Sequence, residues 1–243
     1  MTSLSSAHES LAADPLAAAT QRLIATVEAL PDADWGTPSL LPGWTRAHVV
    51  AHLALNAEGL AGALLGVVEG QPVPMYRSVE ARDEEIEQLA GTQPRPLRHR
   101  LAIATGRLDE ALAALAAAPG QVMEASFERT PGGRVMAAAA VADMRLREVE
   151  IHHADLGLDY SPADWPRPFA RELLTVGAQR REQKIDALVV AADLPWQHQL
   201  GTGGPTITGP AHELAWWLTG REPYPGASGL TSDSGVLPRI GAL

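Results

Sequence analysis

Arg145-Leu-Arg-Glu148-Val-Glu-Ile-His152-His-Ala-Asp155 is the stretch on which the fold turns. It is an unbroken run without proline or glycine, and its period predicts a helix. Glu148 and His152 stand four residues apart, so one helical turn aims a carboxylate and an imidazole at the same point in space. On a 3.6-residue period Val141, Met144, Glu148, His152 and Asp155 share one stripe, while Glu150 and His153 point elsewhere. A carboxylate on a core-facing stripe is costly without a counter-charge, so a metal or another cation is expected beside Glu148.

An earlier stretch, Trp44-Thr-Arg-Ala-His48-Val-Val-Ala-His52, repeats the spacing with two histidines. Either His48 or His52 can serve as a third ligand on a facing helix. Two nitrogens and one oxygen suit zinc, and three protein ligands leave a position open for chemistry. The chain has no cysteine, which excludes Cys-rich structural zinc sites and means that any thiolate at the metal must come from a small molecule. Asp155, one turn beyond His152, is placed to hydrogen-bond a ligating imidazole.

Helix-period apolar positions recur near residues 10–30, 45–69, 95–118 and 137–156, which predicts a four-helix bundle. Pro42-Gly43 precedes the second segment, with Thr45 as its N-cap, and Gly70-Gln-Pro72 ends it. Gly91 to Pro96 separates a charged stretch from the third segment. Between the last two, Val122–Phe127 and Arg134–Met136 flank Thr130-Pro-Gly-Gly133, in the manner of a short hairpin or a plain loop.

After Gly157 the texture changes. Tyr160-Ser-Pro-Ala-Asp-Trp-Pro-Arg-Pro168 cannot continue a helix. A boundary here divides the chain into residues 1–157, a metal-binding bundle, and 158–243, a smaller α+β domain. In the second part we expect a helix near 167–183, strands at Ala187–Ala191, Trp196–Leu200 and Pro205–Thr208, and a helix near 210–219. The Gly-, Ser- and Pro-rich tail from Pro223 reads as a long loop.

The 243 residues are 46% hydrophobic, ample for a buried core. A formal net charge of -10 argues against nucleic acid or an anionic membrane as a partner. The N-terminus lacks the basic start and apolar stretch of a signal peptide, and no uninterrupted apolar run approaches the roughly 20 residues of a membrane span, so a cytoplasmic protein is expected. Gly-x-Ser-x-Gly is absent, and Gly201-Thr-Gly-Gly-Pro205 lacks the ending of a phosphate loop. His8, His99, His198 and His212 have no comparable neighbours and read as structural or surface residues.

The run Leu41-Pro-Gly-Trp-Thr-Arg-Ala-His48-Val-Val-Ala-His52-Leu-Ala-Leu-Asn56, with Met144-Arg-Leu-Arg-Glu148-Val-Glu-Ile-His152, resembles the DinB-like metal-dependent thiol enzymes. Within them the chain is similar to the mycothiol-dependent maleylpyruvate isomerase family, with support from Pro74–Ile86 and Leu218-Thr-Gly-Arg221. The resemblance implies a DinB-like bundle. It selects His52 over His48 as a ligand, beside Glu148 and His152. It places an arginine important for turnover at Arg221, and makes Arg82 a candidate substrate contact.

The resemblance also implies zinc, or another divalent metal, and mycothiol as cofactors. It makes a small-molecule substrate the partner, with a monomer as the default. A metal-activated thiolate adds to the electron-poor cis alkene of maleylpyruvate, the new single bond rotates, and loss of the thiolate leaves fumarylpyruvate. Arg221 then binds a substrate carboxylate or the developing enolate, so Arg221→Ala is expected to spare zinc and depress turnover. Two rivals stand beside this: an S-transferase that consumes mycothiol on other electrophiles, and a binding module that has lost its metal.

Overall fold

The computed structural model describes residues 14–241. The fold is α+β, and the chain forms two compact units. One takes in the described residues through Pro31 with Val50–Val149, and the other Asp32–Val49 with the chain from Glu150 onward.

The first unit is helical, and two of its helices run on into the second. Helix α1 (Pro15–Ala29) starts on Asp14, whose carboxylate accepts from the amide of Leu16, and buries Leu16, Ala19, Thr20, Leu23 and Val27 along one face. Helix α2 (Arg46–Val68) is apolar nearly all round, as befits a central helix. It is long and apolar enough to match a membrane span by length and composition, but most of it is buried within the protein. Helix α4 (Pro94–Ala117) buries Leu97, Leu101, Ala104, Leu108, Ala111 and Leu115 at intervals of three and four. Its Arg98 donates to the carbonyls of Val27 and Leu30, satisfying acceptors that the end of α1 leaves open. Helix α6 (Val141–Asp155) is the deciding stretch of the sequence, and Val141 packs in a core with Leu60, Leu64, Leu108 and Phe127. These four helices are the four segments expected; residues 10–13 of the first lie outside the described residues.

Helix α3 (Val79–Ala90) is the element the periodicity did not show. Ser78 caps it, accepting from the amide of Ala81, and of its side chains only Ile86 and Leu89 are buried. Two apolar anchors in a charged dozen make too weak a stripe to read. A single turn, α5 (Gly120–Met123), leads into an antiparallel hairpin, β1 (Ser126–Glu128) against β2 (Val135–Ala137), with Phe127 opposite Met136. The amides of Met75 and Tyr76 bond the carbonyls of Glu128 and Arg129, which sets Tyr76 against this hairpin.

In the second unit α7 (Arg167–Arg181) precedes β3 (Ala187–Ala191), β4 (Gln197–Leu200), β5 (Thr206–Gly209) and α8 (Ala211–Leu218). The sheet order is β4-β3-β5-β6, with β3 and β5 parallel and β6 (Thr231–Ser232) pairing the tail onto β5. Asp32–Val49 belongs to this unit because it is bonded to the end of α6. The amide of Leu40 donates to the carbonyl of Asp155 at 2.8 Å, and Arg46 donates to those of Leu156 and Gly157. Gly157, at φ +62°, turns the chain out of the helix.

Candidate metal centre

Helices α2 and α6 carry the site. His52 is 5% exposed, and its Nε2 lies 2.8 Å from Glu148 Oε2. His152 follows one turn along α6. Donor atoms of His52, Glu148 and His152 all lie within 4.8 Å of one another, a spacing one ion can bridge. Phase along α6 explains the selection. Glu148 and His152 share the stripe, whereas Glu150 and His153 are buried elsewhere: Glu150 accepts from the Tyr160 hydroxyl, and the His153 ring stacks on Tyr160 at 3.9 Å.

The two imidazoles are held differently. His152 Nδ1 lies 2.7 Å from Asp155 Oδ2, and because a carboxylate only accepts, Nδ1 carries the proton and Nε2 keeps its lone pair for a ligand bond. Asp155 is fully buried, which by itself would raise its carboxyl pKa, but hydrogen bonds from Arg221 and His152 hold it below the ordinary range. His52 Nδ1 accepts from Arg82 Nη2 at 3.0 Å, which puts the proton on Nε2, facing Glu148. Two imidazoles and one carboxylate suit a divalent metal; a neutral His52 that gave Nε2 to it would carry its proton on Nδ1, and Arg82 would then have to release the ring.

His48 has another task. Its Nδ1 accepts from the amide of Thr45 at 3.2 Å and lies 2.7 Å from the Thr45 hydroxyl, so it serves the N-terminus of α2, where Thr45 stands just before the first helical residue. Arg82, 16% exposed, also pairs with Asp83 and has its guanidinium 5.8 Å from the centre of the Tyr76 ring. Burial raises the Tyr76 phenol pKa, against the pull of Arg82. Arg221 forks onto Asp155, Nε to Oδ1 at 2.7 Å and Nη2 to Oδ2 at 2.5 Å.

Sequence reasoning missed Arg145. It is wholly buried, donates to the Leu53 carbonyl at 2.9 Å and to Asn56 Oδ1 at 2.8 Å, and burial pulls its pKa down to about 10 against the fields of Glu148, Tyr76 and Asp109. The available signal was helical phase: Asn56 stands one turn past His52, and Arg145 one turn before Glu148.

A helical bundle with a His/Glu/His cluster able to hold a metal ion, followed by a small α+β unit, is the architecture of the DinB-like thiol-dependent enzymes. Residues 16–157 match the family described as "Mycothiol maleylpyruvate isomerase N-terminal domain", and the chain belongs to that family. Two solved structures align with it, the mycothiol-dependent maleylpyruvate isomerase and a histidine-to-alanine mutant of it. Each is 27% identical, covers 94% of both chains and superposes with a TM-score of 0.84. No curated protein matches the sequence. The family match ends at Gly157, where the sequence texture changes. The chain is therefore an enzyme of a mycothiol-dependent isomerase family.

Proposed function

We propose that this enzyme converts maleylpyruvate to fumarylpyruvate by mycothiol-dependent cis-trans isomerisation, a step of gentisate breakdown, with zinc held by His52, Glu148 and His152. The observation that carries the reading is the convergence of those three donors on α2 and α6, in a chain similar over 94% of its length to an isomerase of that name. Zinc and mycothiol, when bound, would supply a thiolate at neutral pH able to add reversibly to an electron-poor cis alkene, the chemistry that rotation about that bond needs.

The chain's own residues do the rest. Two neutral imidazoles and one carboxylate leave a net positive charge on a bound divalent ion, which favours an anionic sulfur. Arg82 brings a permanent cation beside His52, where it orients a carboxylate of the dianionic substrate. The net charge of -10 makes such a local arginine necessary for an acidic substrate. We place the enzyme in the cytoplasm, acting on small molecules without nucleic acid or membrane.

The test is maleylpyruvate consumption by zinc-loaded protein, with and without catalytic mycothiol, while fumarylpyruvate and free thiol are both quantified. Product formed with thiol conserved supports the isomerase. Thiol loss with a panel of electrophiles and no fumarylpyruvate replaces it with an S-transferase.

A further inference from the structure

We infer that Arg221 is a positioning residue for the ligand His152, acting through Asp155, rather than a contact to the substrate. The inference rests on the metal-centre reading above and assigns a new role within it.

Arg221 follows Gly220, whose φ of +91° turns the chain back at the end of α8, and its guanidinium lies 5.1 Å from the centre of the Trp216 ring. From there it meets Asp155 side-on: Nε and Nη2 each take one carboxylate oxygen, the parallel fork that arginine alone provides. The oxygen taken by Nη2, Oδ2, is also the one that accepts from His152 Nδ1. A chain of contacts results, from guanidinium to carboxylate to imidazole, which ends at the ring nitrogen left for the metal.

Burial decides what Arg221 can do. The Asp155 side chain is 0% exposed and that of Arg221 15%. Turning the guanidinium towards a substrate carboxylate would strand Asp155 as a buried charge held only by a histidine, a costly state. Arg221 therefore stays on Asp155. It holds the carboxylate in place against His152, whose Nδ1–H donates to it, and this fixes the tautomer and the direction of Nε2.

The experiment measures zinc affinity by chelator competition and the visible spectrum of the cobalt-substituted protein, for wild type, Arg221→Ala, Arg221→Lys, Asp155→Asn, the double variant R221A/D155N and His152→Ala. Removing such an outer partner weakens metal binding by about 10- to 100-fold. Arg221→Ala and Asp155→Asn are expected to show that loss with altered cobalt bands, and the double variant is expected to be no weaker than either, because the two act as one unit. Arg221→Lys keeps the charge that neutralises Asp155 but not the fork. It is expected to match wild type in thermal stability, which controls for misfolding, and to recover part of the affinity.

Zinc affinity and cobalt spectrum unchanged in Arg221→Ala, with only the maleylpyruvate KM raised, would overturn the inference and return Arg221 to the substrate. Wild-type binding that His152→Ala leaves intact would overturn the metal centre itself, a result distinct from the first.

Discussion

His52 and Glu148, ninety-six residues apart in the chain, meet at 2.8 Å between Nε2 and Oε2. With His152 on the next turn, this pairing is the metal site we propose, and it predicts that metal retention depends on three side chains. His52→Ala, Glu148→Gln and His152→Ala are each expected to lose bound zinc on gel filtration, measured by elemental analysis per chain. His48→Ala is expected to keep zinc and to lose about 1 kcal/mol from the N-terminus of α2. Full zinc in His52→Ala, or none in His48→Ala, would reverse the assignment of the two histidines.

Arg82 sits beside the site without being part of the donor set. Arg82→Met is expected to raise the KM for maleylpyruvate about tenfold, the scale of one lost charge-assisted contact, with zinc content unchanged. Steady-state kinetics on metal-loaded protein decides it, and an unchanged KM removes Arg82 from the substrate.

Arg145 holds the Leu53 carbonyl and the Asn56 side chain inside the bundle. Arg145→Ala strands those acceptors and leaves a cavity. A loss of about 3 kcal/mol in urea unfolding of the metal-free protein is expected. An unchanged midpoint would mean that water replaces the guanidinium at no cost.

Gly177 of α7 faces Leu218 of α8 so closely that a methyl group added to it would stand 2.9 Å from the Leu218 Cβ. Gly177→Ala is expected to cost about 1–3 kcal/mol by forcing the helices apart, despite the better helix propensity of alanine. Calorimetry should show a lower Tm, and an equal or higher one would show that this packing yields.

Much of this was legible beforehand because it depends on local period. Glu148 and His152 must share a face of any helix that contains both, and Glu150 and His153 must leave it. The four long helices, the strand at Ala187–Ala191 and the turn at Thr130–Gly133 likewise announce themselves through spacing and turn chemistry. Helix α3 did not, because its burial amounts to Ile86 and Leu89. The choice of His52 over His48 came from family resemblance, since spacing treats the two alike.

The sequence by itself determined the helical phase of the donors, the absence of any protein thiol and the acidic balance that calls for a local arginine. Only the tertiary structure decided which partners these residues meet. It brought Arg221 across sixty-six positions to Asp155, gave Arg82 to His52, and buried Arg145 against Asn56. The physical reason is that a helix specifies where a side chain points within a turn or two. The direction of a hydrogen bond between distant residues is set by how helices and loops pack, and by which buried charges must find one another once water is excluded.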